Sequence, residues 1–123
     1  NTSILNGAAL SSLHKFNKSF QTPENTDCLY KIPVLTLDSI TSMFNIEKPK
    51  YLKIDVDGLE YEILLGANQI LKNVDSILIE IDENDKEKSL KISSLLQNKK
   101  FKLDKEGARE LGVHTVNQIW KKT

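Results

Sequence analysis

The 123-residue chain contains a single cysteine, Cys28, which excludes an intrachain disulfide framework and a zinc site built from several cysteines. One cysteine is typical of a reducing compartment, so we expect a cytoplasmic protein. The sequence has no signal-peptide pattern at its start and no apolar run near the roughly 18 residues of a membrane span. Seventeen basic and seventeen acidic residues cancel. With a net charge of zero, the chain has no excess of positive charge to bind phosphates, so we expect no nucleic-acid partner.

Several well-known functional motifs are also absent. The sequence contains no GxGxxG and no Walker loop, and no GxSxG nucleophile elbow. A chain of 123 residues is one domain at most. Because it begins with Asn1 and its only methionine is Met43, we expect either a processed protein or a piece of a longer one.

The pattern of apolar residues predicts strands that alternate with helices. Strands are predicted over residues 34–37, 51–56, 76–81, 101–103 and 113–120, and helices over residues 39–44, 59–73 and from about 86 to 97. Asp38 is the predicted N-cap of the first helix. Alternation implies parallel pairing with right-handed crossovers, and apolar central strands indicate burial on both faces. The predicted fold class is α/β, with a mostly parallel sheet and an antiparallel C-terminal edge.

Carboxylates follow two neighbouring strands of this predicted sheet. Asp55 and Asp57 come at the end of one strand, in KIDVDG, and Glu80 lies near the end of the next, in SILIEI. In open α/β sheets, ligands bind beyond the carboxyl ends of the strands. A charge directly after a buried strand is costly unless it is paired or functional, so we favour a functional role for Asp55. Glu80 is predicted to face the same crevice; the alternatives are an edge position or a salt bridge to a lysine.

The residues around Asp55 have structural interpretations as well. Asp57 and Glu60 flank the start of an apolar helix with the spacing of a capping box, and we favour capping for both. Gly58 comes one position after the second aspartate, too early for a calcium loop, so we expect no metal site. His14 and His114 are the only histidines. Either is a candidate general base, although isolated histidines are more often surface or packing residues.

Three segments, taken together, resemble the core of the FkbM family of methyltransferases. They are TLDSI at residues 36–40, YLKIDVDGLEYEILLGA at residues 51–67 and ILIEI at residues 77–81. The resemblance implies a Rossmann-like sheet and an S-adenosylmethionine-dependent enzyme that methylates oxygen on sugars or other small metabolites. It also implies that Asp55 and Glu80 lie at the active-site ends of two adjacent strands. We take these two residues as catalytic candidates, and Asp57, Gly58, Glu60 and His114 as residues of the substrate or cofactor crevice.

The sequence departs from the family pattern in two ways. Asp57 stands where the family usually has Glu. The Gly-rich turn after the first strand of the family domain, and the acidic residue that binds the cofactor ribose, precede the segments found here and are missing. We therefore expect residues 1–123 to be one domain, the C-terminal portion of a larger methyltransferase domain.

Two hypotheses of different classes follow. In the first, the parent protein methylates a small hydroxyl-bearing acceptor such as a sugar, with the protein mainly positioning the reactants. In the second, the chain is a non-enzymatic α/β interaction module that forms a homodimer through an open sheet edge. A divalent metal bound by the carboxylates is a third option.

Overall fold

The computed structural model describes residues 34–107 and 113–123, which form a four-stranded mixed sheet with helices packed on it. The elements are α1 (Leu37–Met43), β1 (Tyr51–Ile54), α2 (Glu60–Leu65), a short 3₁₀ helix (Ile70–Lys72), β2 (Ser76–Asp82), α3 (Lys86–Asn98), β3 (Phe101–Glu106) and β4 (Thr115–Lys122). Strands and helices alternate up to β3, which confirms the predicted α/β class.

The sheet has the strand order β1-β2-β4-β3. β1 and β2 are parallel, and β4 runs antiparallel to both of its neighbours. The predicted antiparallel C-terminal edge is present as the β4–β3 pair, but the prediction of a mostly parallel sheet is wrong, because among the described strands only the β1–β2 pairing is parallel. β4 lies inside the sheet beside β2 because it buries more: it contributes Val116 and Trp120 to the core, whereas β3 buries only Phe101 and can occupy the edge.

The buried side chains of the sheet lie on one face. In β2, Ile77, Ile79 and Ile81 are buried, while the alternate residues are half-buried or exposed. Helix residues such as Leu64 and Leu96 complete this core. The predicted burial on both faces is not observed for β2, and burial of its Ile face alone accounts for the strong apolar signal of the strand.

The first predicted strand and the first predicted cap are wrong. Residues 34–36 have no regular structure, and α1 begins at Leu37. Its N-cap is Thr36, whose Oγ1 accepts a hydrogen bond from the Ser39 N–H at 3.1 Å. Asp38, the predicted cap, instead accepts hydrogen bonds from the backbone of Gln69 and Ile70. Because Thr36 already accepts a hydrogen bond from a backbone N–H at the start of α1, Asp38 is free to bind residues distant in sequence.

The helix predicted over residues 59–73 is divided by Gly66. A Cβ atom at Gly66 would lie 3.0 Å from the Cβ of Thr36, so the two chain segments approach each other closely. The Gly66 carbonyl also accepts a hydrogen bond from the Asp38 N–H at 3.0 Å. These contacts hold the start of α1 against the end of α2. His14 and Cys28 lie outside the described residues, so the predictions made for them stay predictions.

Candidate active site

The ends of β1 and β2 bring the two candidate catalytic carboxylates to one edge of the sheet. Lys53 is paired with Leu78, and Ile54 with Ile79. One further step in the same register places Asp55 opposite Glu80. Paired residues of adjacent strands point to the same face, so both carboxylates share a face as well as an edge.

Lys53 forms an ion pair with Asp55. Its Nζ is 2.8 Å from Asp55 Oδ2. The hydrogen bond and charge of Asp55, with a smaller contribution from the charge of Glu80, raise the pKa of Lys53 above its ordinary value. The site is therefore an ion pair of Lys53 with Asp55, with the Glu80 carboxylate as a weaker, more distant negative charge. Lys53 was not among the residues singled out from the sequence, although its position two residues before Asp55 places it on the same face.

Asp55 is more exposed than the sequence argument assumed. Its side chain is 47% exposed, and that of Lys53 is 62% exposed. An ion pair at this exposure contributes little to stability because water screens it. The burial cost that favoured a functional role for Asp55 is therefore absent, and Asp55 is a candidate because of its position at the carboxyl end of β1. Glu80 is half-buried and lies opposite Asn117 of β4, a neighbour that sequence alone did not identify.

The turn after β1 is organised around Gly58. This residue has φ +87°, a conformation that favours glycine. Its N–H donates to the Val56 carbonyl at 2.9 Å and to Glu60 Oε1 at 3.0 Å. Its carbonyl accepts a hydrogen bond from Lys88 Nζ at 2.8 Å. The turn is therefore held from both sides by charged side chains, and no local sequence pattern pointed to Lys88.

The predicted capping box is wrong in detail. The N-cap of α2 is Leu59, which makes no side-chain cap hydrogen bond. Asp57 is exposed, while Glu60 is 7% exposed and turns its carboxylate back toward Gly58. Gly58, with its positive φ, lies between Asp57 and the helix. Of the two carboxylates, Glu60 is the one that accepts a hydrogen bond from a backbone N–H, that of Gly58.

His114 lies at the same edge of the sheet but farther out. It immediately precedes β4, it is exposed, and its carbonyl accepts a hydrogen bond from the Glu83 N–H at 2.8 Å. Asn117, which is opposite Glu80, comes three residues later. At roughly 3.4 Å per residue, His114 lies about 10 Å along β4 from that position. It therefore borders the crevice and does not join the two carboxylates directly.

An apolar pocket of about 360 Å³ adjoins Asp55 along β1. Besides Lys53 and Asp55, its lining consists of Leu37, Leu52, Ile54, Val56 and Ile63. A larger groove of about 760 Å³ lies between α2 and α3 and contains none of the predicted site residues. The smaller pocket contains Asp55 and Lys53, and Glu80 is not part of its lining.

Within residues 34–107 and 113–123, no group of three or more His, Cys, Asp or Glu side chains is arranged to hold a metal ion. In that part of the chain, no helix has the length and apolar character needed to cross a bilayer.

The fold and the edge carboxylates define an α/β domain with a candidate ligand site at the carboxyl ends of two parallel strands. Comparison with protein families matches residues 2–103 to the methyltransferase FkbM domain. The match covers most of the chain, so the chain belongs to this family, as the three segments predicted. Comparisons with curated proteins and with solved structures found no match. The matched range includes Asp55 and Glu80, whereas His114 and β4 lie beyond it.

Proposed function

We propose that the protein carrying this domain transfers a methyl group from S-adenosylmethionine to a hydroxyl oxygen of a small acceptor, such as a sugar. Membership of the FkbM family supports methyltransferase activity. The observation that carries the proposal to particular residues is the register of β1 and β2, which brings Asp55 and Glu80 to one face of one sheet edge. Such an edge is where open α/β sheets bind ligands.

The described residues fit the charge of this methyl donor. A sulfonium is a cation, and Asp55, Glu80 and the exposed Asp57 supply negative charge at the edge. They do not supply a glycine-rich turn for the nucleoside: Gly58 is a single glycine, and a Cβ there would lie 3.6 Å from Lys88 Nζ. We therefore assign these residues to the methyl acceptor and to the charge of the donor.

When bound, S-adenosylmethionine supplies a methyl group that is already activated for transfer. The protein's task is then to orient the acceptor and to manage its proton. Asp55 is exposed at the end of its strand, so its carboxylate can accept a hydrogen bond and then the proton from the acceptor hydroxyl. Lys53, which like any exposed lysine is a cation at neutral pH, holds Asp55 in place and can donate to the acceptor oxygen. Glu80 adds a second negative charge at the same edge, with a smaller electrostatic effect on Lys53.

The test is methyl transfer by the full-length protein from labelled S-adenosylmethionine to a panel of hydroxyl-bearing sugars and small metabolites. Asp55→Asn should lower kcat/KM by about 10²–10⁴-fold, the usual contribution of a positioned acid or base. It should change the free energy of unfolding little, because the ion pair with Lys53 is exposed.

Asp75→Asn is the matched control. Asp75 forms an exposed ion pair with Lys50 at 3.6 Å, at the opposite end of the same two strands, so its loss should leave activity unchanged. Full activity of Asp55→Asn with every acceptor would contradict the role of Asp55. A folded full-length protein that gives no calorimetric binding signal with S-adenosylmethionine would contradict the methyl donor.

The alternative, a non-enzymatic module, is not favoured by family membership. A homodimer is nevertheless compatible with an enzyme, and we propose it separately. β1 is an outer strand of the described sheet, and Tyr51 at its start is 77% exposed. Outer strands offer unpaired backbone groups to a second chain. Sedimentation that shows only a monomer at all concentrations would exclude the dimer.

A further inference from the structure

We infer that Lys88 is a positioning residue for this site: its ammonium group holds the turn after β1 and thereby fixes the direction of the Asp55 and Asp57 carboxylates. The inference rests on the proposed function for its consequence in catalysis. The contact itself is independent of that function, since it joins two chain segments thirty residues apart.

The surroundings of Lys88 show that the Gly58 carbonyl is its main partner. Lys88 Nζ lies 2.8 Å from that oxygen and 3.8 Å from Asp85 Oδ2. The Lys88 side chain is 28% exposed, compared with 62% for Lys53 and 64% for Lys50 in their ion pairs. A lysine that is this much less exposed than the other paired lysines gives up hydration for a specific contact.

The N–H and the carbonyl of Gly58 are bound by side chains of opposite charge. The anionic side is Glu60, which is 7% exposed and accepts the Gly58 N–H. The cationic side is Lys88, which donates to the Gly58 carbonyl. Hydrogen bonds with one charged partner are stronger than neutral ones. Together they fix a residue whose φ is positive, three positions after Asp55.

Lys88 adds little to the stability of α3 itself. It lies in the first turn of α3, where the helix dipole disfavours a cation, and its ion pair with the N-cap residue Asp85 is long, at 3.8 Å. The contact with the Gly58 carbonyl, at 2.8 Å, is the shorter of its two interactions. Lys86 lies in the same turn and is exposed. Removing the charge of either lysine changes the interaction with the helix dipole in the same sense, so Lys86 is a matched control.

The experiment compares Lys88→Met, Lys86→Met and Lys88→Arg in the full-length protein. The first readout is amide hydrogen exchange at Gly58 and Leu59, and the second is kcat and KM for methyl transfer. In Lys88→Met, exchange should become at least about tenfold faster, and kcat/KM should fall by about 10–100-fold, as small misplacements of catalytic groups do. Lys88→Arg should keep amide exchange and kcat/KM close to their wild-type values, because a guanidinium can also donate to the Gly58 carbonyl. Lys86→Met should change neither.

Two results would overturn the inference. If exchange at Gly58 is unchanged in Lys88→Met, the lysine does not hold the turn. If exchange accelerates while kcat and KM stay at wild-type values, the turn is held but its position does not matter for the reaction. Failure of the proposed function is a separate result, because it would appear as absent methyl transfer in the wild-type protein. In that case the exchange comparison alone decides whether Lys88 fixes the turn.

Discussion

Replacing Asp38 by Asn should destabilise the fold, although Asp38 lies outside the candidate site. Its two carboxylate oxygens accept hydrogen bonds from the backbone N–H groups of Gln69 at 2.8 Å and Ile70 at 2.9 Å. They thereby connect α1 to the start of the 3₁₀ helix, more than thirty residues later in the chain. Asn preserves the shape of the side chain, but it offers one acceptor oxygen and directs an amide NH₂ at the other N–H.

The expected loss follows from this geometry. A hydrogen bond to a charged group contributes about 1.5–3 kcal/mol. Asp38 is half-buried, so water can replace part of what is lost, and each bond should count near or below the lower limit. We therefore expect Asp38→Asn to lower the free energy of unfolding by about 2 kcal/mol. This is a large share of the roughly 5–15 kcal/mol that stabilises a typical domain.

Urea unfolding followed by circular dichroism measures this effect. With a denaturant slope of about 2 kcal/mol/M, the midpoint should fall by about 1 M while the slope stays constant. Asp57→Asn is the control: Asp57 is exposed and accepts no hydrogen bond within the described part of the chain. A change below about 0.5 kcal/mol for Asp38→Asn, the range of ordinary surface substitutions, would refute the reasoning. An equal loss in both variants would refute it as well.

Two further predictions concern the site and the core. Asp55→Asn should lower the pKa of Lys53 toward its ordinary value, because the side-chain hydrogen bond that raises it is lost. The small contribution of this exposed pair to stability is present below the ordinary lysine pKa of 10.5 and is lost as the pH rises through the raised pKa. An NMR titration of Lys53 that does not change in Asp55→Asn would contradict this assignment. Leu64→Ala should cost about 2–5 kcal/mol in thermal or urea unfolding, because Leu64 is 1% exposed. Leu65→Ala in the same helix is the control, since Leu65 is 55% exposed; equal losses would argue against the packing of α2.

Elements with strong local patterns were predictable from the sequence. The strand predicted over residues 76–81 is observed as β2, Ser76–Asp82. The helix predicted to end near residue 97 is observed as α3, which ends at Asn98. Both are apolar-periodic segments between polar boundaries, so the information that defines them is local. The order of the strands in the sheet was not predictable in this way. It depends on which of β3 and β4 can bury more apolar surface beside β2.

The first helix shows that contacts between residues distant in sequence can override the local preference for a strand. Residues 34–37 have the β-rich composition of a strand, yet they lead into α1. The deciding contacts are the close approach of Thr36 to Gly66 and the hydrogen bonds of Asp38, which join segments thirty residues apart. Neither contact leaves a periodic signal in the sequence.

The candidate site was predictable in position and not in detail. The carboxyl ends of two parallel strands placed Asp55 and Glu80 together, because strand alternation and crossover topology determine which residues share a face. The partners of these residues depend on neighbouring elements. Lys88 reaches Gly58 from α3, and Asn117 lies opposite Glu80 on β4. Contacts of this kind require the packed structure.

The family segments divide into residues with different physical roles, and this division affects how variants should be interpreted. Thr36 caps a helix, Asp38 connects two helices, and Gly66 allows the close approach of the chain. Substitutions at these positions should lower activity in proportion to the unfolded fraction, and lower temperature or a stabilising osmolyte should restore it. Substitution of Asp55 should lower activity at unchanged stability, so the same treatments should restore nothing. Measuring activity and unfolding on the same samples therefore separates the architecture of the domain from its chemistry.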